Sequence, residues 1–202
     1  VSRTPASTNT FLSFKRGGIA TNTTAGTSAG FRGNGTHYWR GNAAGLGGFH
    51  FVARFGISIV AADARAFVGW KNSIAVFANG NPSAQTNIMG IGFDSTQTTW
   101  SIMTNSATGT APTVDLGGGF PTNIGNTNMY ELAMFHAPNG SSLEYQVTNI
   151  TGGNTVYGSI TANSVNMPTT TTFVAPHFWI NNGATAGVAA MDIVNLYIET
   201  DL

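Results

Sequence analysis

Apolar and polar residues alternate along most of this chain with a period of two, the spacing a β-strand imposes because successive side chains leave opposite faces. After Gly48 the alternating runs are long. Segments 49–55 (FHFVARF), 65–70 (RAFVGW), 88–93 (IMGIGF), 100–104 (WSIMT), 130–136 (YELAMFH), 143–150 (LEYQVTNI), 155–160 (TVYGSI), 173–180 (FVAPHFWI) and 188–198 (VAAMDIVNLYI) predict strands. Residues 1–47 hold only short apolar pieces, 11–14 and 37–39, between Gly, Thr, Ala and Asn loops, so an arm or a set of short strands leading into the body at 48–202 is expected. No segment sustains a 3.6-residue period over a dozen positions. The expected fold is therefore all-β, an antiparallel β-sandwich or jelly roll.

One register tests this pattern. Ala137-Pro138-Asn139-Gly140-Ser141-Ser142 is a turn cluster between two alternating runs. With His136 opposite Leu143, the residues Tyr130, Leu132 and Met134 share a face with Leu143, Tyr145 and Val147. Glu131, Ala133, Phe135, Glu144, Gln146 and Thr148 take the other face. A second turn at Gly152-Gly153 adds Val156 and Ile160 to the apolar face, so a single register satisfies three strands.

Composition agrees with the pattern. The 202 residues suit one large sandwich, and no repeat or long linker divides them. Thr (28) and Asn (20) are abundant and Gly reaches 26, which favours pleated strands and positive-φ turns over helices. Charge is sparse, with 8 Lys+Arg against 8 Asp+Glu, so a polyanionic partner such as nucleic acid is not expected. The charges are segregated, since every Lys and Arg lies at or before Lys71, where Asp63 is the sole acidic residue. That asymmetry predicts either pairing between protomers or complementarity between the two sheets of one sandwich. Without cysteine there is no disulfide, thiolate nucleophile or Cys-type zinc site. No run of 18 apolar residues exists, so membrane insertion is not expected, and VSRTPASTNT lacks the layout of a signal peptide. A start at Val1 leads us to expect a piece of a longer polypeptide.

Candidate chemistry is thin. Gly26-Thr27-Ser28-Ala29-Gly30 matches G-x-S-x-G but lacks the strand before it and the helix after it that expose a nucleophilic serine. Glu131 and Glu144 share a face, yet four positions along the strands separate their backbones by about 13 Å, wider than a glycosidase pair. The histidines at 37, 50, 136 and 177 show no ligand spacing, and no calcium loop is present, so neither metal nor cofactor is expected. The glycines at 45, 47, 48 and 117–119 read as turns. Aromatic residues carry the stronger signal. Alternation in 173–180 puts Val174, Phe178 and Ile180 toward a core and leaves Phe173, His177 and Trp179 facing outward. His177 and Trp179 offer flat faces and a donor for stacking on a sugar ring, and Asn181 and Asn182 follow with amides suited to hydroxyls. Trp70, Lys71 and Trp100 stand at strand ends, where sandwich loops carry function. The alternative for each Trp is the core or a subunit interface.

The phrases GGFHFVARFGI, RAFVGW, PSAQTNIMGIGFD, YELAMFHAPNGSSLEYQV and FVAPHFWINNGATAGVAAMDIVNLYIETD give 48–202 a resemblance to the C-terminal head domains of bacteriophage tail fibres and related prophage tail proteins. The resemblance implies a concanavalin-like jelly roll at the virion's fibre tip, usually a homotrimer, with residues 1–47 as shaft junction, interface arm or part of the head. It also implies that the partners are the remainder of the fibre and a host surface polysaccharide or outer-membrane protein. A non-catalytic receptor-binding module is the reading this favours. A domain serving trimerisation alone, or a capsule depolymerase, are the alternatives.

Overall fold

The computed structural model describes residues 2–108, 112–122 and 124–201. Among them, two antiparallel sheets enclose one main core. In chain order the strands are β1 (Ser2–Arg3), β2 (Arg16–Ala20), β3 (Ser28–Arg32), β4 (Gly47–Ile59), β5 (Arg65–Lys71), β6 (Ile88–Phe93), β7 (Ser101–Asn105), β8 (Thr113–Asp115), β9 (Tyr130–His136), β10 (Ser142–Asn149), β11 (Asn154–Thr161), β12 (Ala175–Asn181) and β13 (Ala190–Asp201). The seven-stranded sheet runs β1-β2-β13-β4-β9-β10-β11 and the six-stranded sheet β3-β12-β5-β6-β7-β8. Every run read as a strand after Gly48 is one. The chain is an all-β antiparallel sandwich.

Side-chain periodicity builds the core. On β4 Phe49, Phe51, Ala53, Phe55 and Ile57 point inward and are buried, meeting Ala66, Val68 and Trp70 of β5 and Met89, Ile91 and Phe93 of β6. Trp70 packs on Tyr38, Phe49 and Phe51, and Trp100 on Phe55, Phe93 and Tyr130. Each such aromatic removes about 150–250 Å² from water, so both clusters contribute strongly to the hydrophobic stabilisation of the sandwich.

The meander holds the expected register. Glu144 lies opposite Phe135, Tyr145 opposite Met134 and Val147 opposite Leu132, with Asn139 at φ 53° turning the chain between β9 and β10. Val156 and Ile160 of β11 face Val147 and Leu143 and pack against the core. The polar face of these strands therefore looks outward.

Residues 2–47 are woven into both sheets. β2 pairs with β13, β1 with β2, and β3 with β12. These strands escape the sequence pattern because RGGIA and SAGFR are short, glycine-containing and close to an edge; β8, three residues long, escapes it for the same reason of length. The segregated charge finds its partner inside the chain. Asp192 on β13 accepts from Arg16 Nε at 3.0 Å, Arg3 Nε at 3.3 Å and Ser58 Oγ at 2.9 Å. Arg16 is also wrapped by the carbonyls of Phe11, Leu12 and Phe14. Arg54 of β4 pairs with Glu131 of the adjacent β9. These ion pairs thus join strands within one sheet, whereas complementarity between the sheets was one of the expectations.

Candidate functional site

The residues singled out from sequence do not lie on an open surface. His177 and Trp179 point away from the inter-sheet core as alternation requires, but both are buried, Trp179 being only 1% exposed. The cover is the loop after β5. Phe77 sits with its ring 5.1 Å from Trp179, 5.5 Å from His177 and 5.2 Å from Phe67, and Ile88 and Met103 complete this second cluster. Lys71 Nζ lies 4.6 Å from the Phe77 ring centre, and burial lowers its pKa. Gly90 leaves room for the Phe67 ring: a Cβ there would come within 2.8 Å of that ring and 2.3 Å of the Val68 carbonyl.

The other expectations of exposure are corrected in the same way. Trp70 and Trp100 are in the main core. Asn181 and Asn182 spend their amides on the chain itself. Asn181 Nδ2 donates to the Gly26 carbonyl and Ser28 Oγ, while its Oδ1 accepts from Gly183 N. Asn182 Nδ2 donates to the carbonyls of Asn22, Thr24 and Gly187, and its Oδ1 accepts from Thr27 N. Both side chains staple the 21–30 loop to the segment after β12. The structure brings Lys71, His177 and Trp179 together, but under Phe77. Ser28 of the G-x-S-x-G row lies on edge strand β3 with no helix after it.

The open aromatic surface is on the outer face of the seven-stranded sheet. Strand pairing lines up two rows across it. Glu199, His50, Phe135, Glu144 and Ser159 are successive cross-strand neighbours on β13, β4, β9, β10 and β11. Beside them run Tyr197, Val52, Ala133, Gln146 and Tyr157. Tyr157 is 79% exposed, Phe135 50% and Tyr197 49%, whereas the tryptophans at 70, 100 and 179 are buried. His50 packs edge-on to Tyr197 with ring centres 6.0 Å apart. A groove of about 410 Å³ runs between His50, Phe135, Glu144, Gln146, Tyr157 and Ser159. A second, of about 230 Å³, continues from His50 and Phe135 toward Glu199 and Asp201.

Polar groups fix the geometry of this surface. Glu144 Oε1 accepts from Ser142 Oγ at 2.6 Å and Ser159 Oγ at 3.0 Å, which pins its carboxylate beside Phe135. Tyr197 Oη donates to Glu199 Oε2 at 2.8 Å, and that hydrogen bond and charge raise the phenol's pKa. Among the described residues no Lys or Arg lines either groove. Arg54, one row further along, is committed to Glu131. Flat apolar rings flanked by hydrogen-bond acceptors can stack on the C–H face of a sugar while binding its hydroxyls. The observed register keeps Glu131, opposite Thr148, four positions from the partner of Glu144. Among the described residues no three His, Cys, Asp or Glu side chains converge to hold a metal.

The sequence contained the signal for this surface. Phe135 stands among Glu131, Ala133, Glu144, Gln146 and Thr148 on a face that has no core to fill, and Tyr157 alternates with the inward Val156.

The sequence matches no protein-family model and no curated protein significantly. Solved structures do resemble the fold. Lectin UEA-II complexed with galactose aligns at a TM-score of 0.59 and 11% identity, over 94% of this chain and 87% of the lectin. The exoplasmic/lumenal domain of VIP36 in a Ca²⁺/Man3GlcNAc-bound form aligns at 0.56 and 13% identity, over 100% of this chain and 82% of that one. The CBM2 module of an evolved Dit from Lactobacillus casei BL23 phage J-1 aligns at 0.51 and 13% identity, over 94% of this chain and 77% of that one. The fold of this chain is thus a lectin-type, concanavalin-like β-sandwich.

Proposed function

We propose that the chain is a non-catalytic glycan-recognition module of a bacteriophage tail-fibre tip, gripping a polysaccharide on the host surface through the outer face of its seven-stranded sheet. The observation that carries this reading is the pair of adjacent rows that presents exposed Phe135, Tyr157 and Tyr197 with half-buried His50 beside Glu144 and Gln146. Large apolar rings in a groove are costly to leave in water, and sugars offer a partner that covers the rings without covering the acceptors. The lectin-type fold and the likeness to a phage carbohydrate-binding module support the class of ligand. In this reading the head acts as a homotrimer at the end of a fibre on the virion, and the remaining fibre is attached on the side of residues 2–47.

A second reading, a domain that only assembles the fibre, is favoured by exposed Ile74 and Val76 on the loop after β5, together with Phe31 on edge strand β3. Binding of the fluorescently labelled protein to candidate host cells and their envelope extracts separates the two. Specific binding that Tyr157→Ala weakens by about tenfold, at unchanged solution mass, supports the glycan module. A stable oligomer that binds no envelope fraction supports assembly alone.

A further inference from the structure

We propose that this surface discriminates against acidic glycans, taking neutral or amine-bearing sugars, and that Glu144 enforces the choice. The inference rests on the glycan-binding reading above.

The two contiguous grooves are lined by the acidic side chains Glu144, Glu199 and Asp201, with His50 between them and no Lys or Arg. The nearest guanidinium on the face, Arg54, is neutralised by Glu131. The other basic side chains are placed elsewhere: Arg3 and Arg16 on Asp192, Lys15 beside Arg16, Arg32 on β3 of the other sheet, Arg40 against His136 and the Pro168 carbonyl, Arg65 on Asn79 and Lys71 on Phe77. A sugar ring lying over Phe135 and Tyr157 must therefore meet carboxylates.

Glu144 is central because it sits between the two rings. It is the cross-strand neighbour of Phe135 and lies two residue pairs, hence one same-face step, from Tyr157, the partner of Gln146. Its Oε1 is occupied by the hydroxyls of Ser142 and Ser159. Oε2 has no protein donor among the described residues, so it can accept from a sugar hydroxyl or ammonium. A uronate or phosphate at the same place would set like charges against each other, and nothing nearby compensates them. Such juxtaposition suppresses wrong partners more than it strengthens right ones.

The test is calorimetric titration with three oligomers of equal length, hexamers of N-acetylglucosamine, glucosamine and galacturonic acid, against the wild type, Glu144→Gln and Tyr157→Ala. The galacturonate hexamer should bind the wild type at least about tenfold more weakly than the neutral one. Glu144→Gln, or added salt, should narrow that gap, because both remove unscreened negative charge. Galacturonate binding as tight as the neutral hexamer and weakened by Tyr157→Ala would overturn the charge selection while leaving the glycan surface standing. If no hexamer binds, the glycan reading fails and the selection fails with it.

Discussion

Phe77 closes over Trp179, ring centre to ring centre 5.1 Å, and thereby turns the outer face of the six-stranded sheet into a second hydrophobic cluster. The contact joins a loop to a strand about a hundred residues further along the chain. Strand alternation correctly faces Trp179 away from the main core, but only the loop decides whether that face meets water.

Removing this cover should be costly. Phe77→Ala deletes a buried ring and is expected to destabilise the fold by about 3–5 kcal/mol, read as a lower urea midpoint. Because Trp179 is then hydrated, the native emission spectrum should shift to the red. Tyr157→Ala, at an exposed position, should change stability by no more than about 0.5 kcal/mol.

The two ion-pair sites differ in the same way. Asp192 is 1% exposed and neutralises Arg16, itself buried. Asp192→Ala leaves that guanidinium uncompensated and should cost about 3–5 kcal/mol by denaturant titration. The Arg54 and Glu131 side chains are 40% and 24% exposed, so Glu131→Gln is expected to cost less than about 1 kcal/mol.

Two buried imidazoles make stability depend on pH. His136 donates from Nδ1 to the Ala137 carbonyl and accepts at Nε2 from Arg40 Nε, an arrangement that requires the neutral ring. Burial first, and then the Arg40 charge, lowers its pKa from 6.5 to about 4. His177, whose Nε2 donates to the Ser73 carbonyl, is likewise lowered to about 4, chiefly by burial. Since the unfolded chain takes up these protons first, the stability they provide is complete above pH 6.5 and is lost as pH falls toward 4. Urea midpoints measured from pH 7 to 4.5 should fall, and His177→Phe should flatten the slope by roughly one proton in that window.

The strands and their faces were legible because the hydrophobic pattern of 130–160 admits one register, and the structure adopts it from Phe135 and Glu144 through Val147 and Val156. The first strands were not, since Arg16–Ala20 and Ser28–Arg32 owe their place to Asp192 and β12 rather than to their own periodicity. The expected aromatic site followed face but not cover. Trp179 had the right direction and a lid that no local pattern announces. Phe135 and Tyr157 had the same outward direction on strands that nothing among the described residues overlies.

The most direct measurement is backbone amide chemical-shift mapping of the protein titrated with polysaccharide fragments released from a bound host envelope. The outer-face account predicts that the largest shifts fall on His50, Phe135, Glu144, Gln146 and Tyr157, and that Tyr157→Ala weakens binding by about tenfold, or ~1.4 kcal/mol. Shifts confined to the loop around Phe77, or to Asn22, Thr27 and Asn182, would contradict it and move the site to the six-stranded sheet.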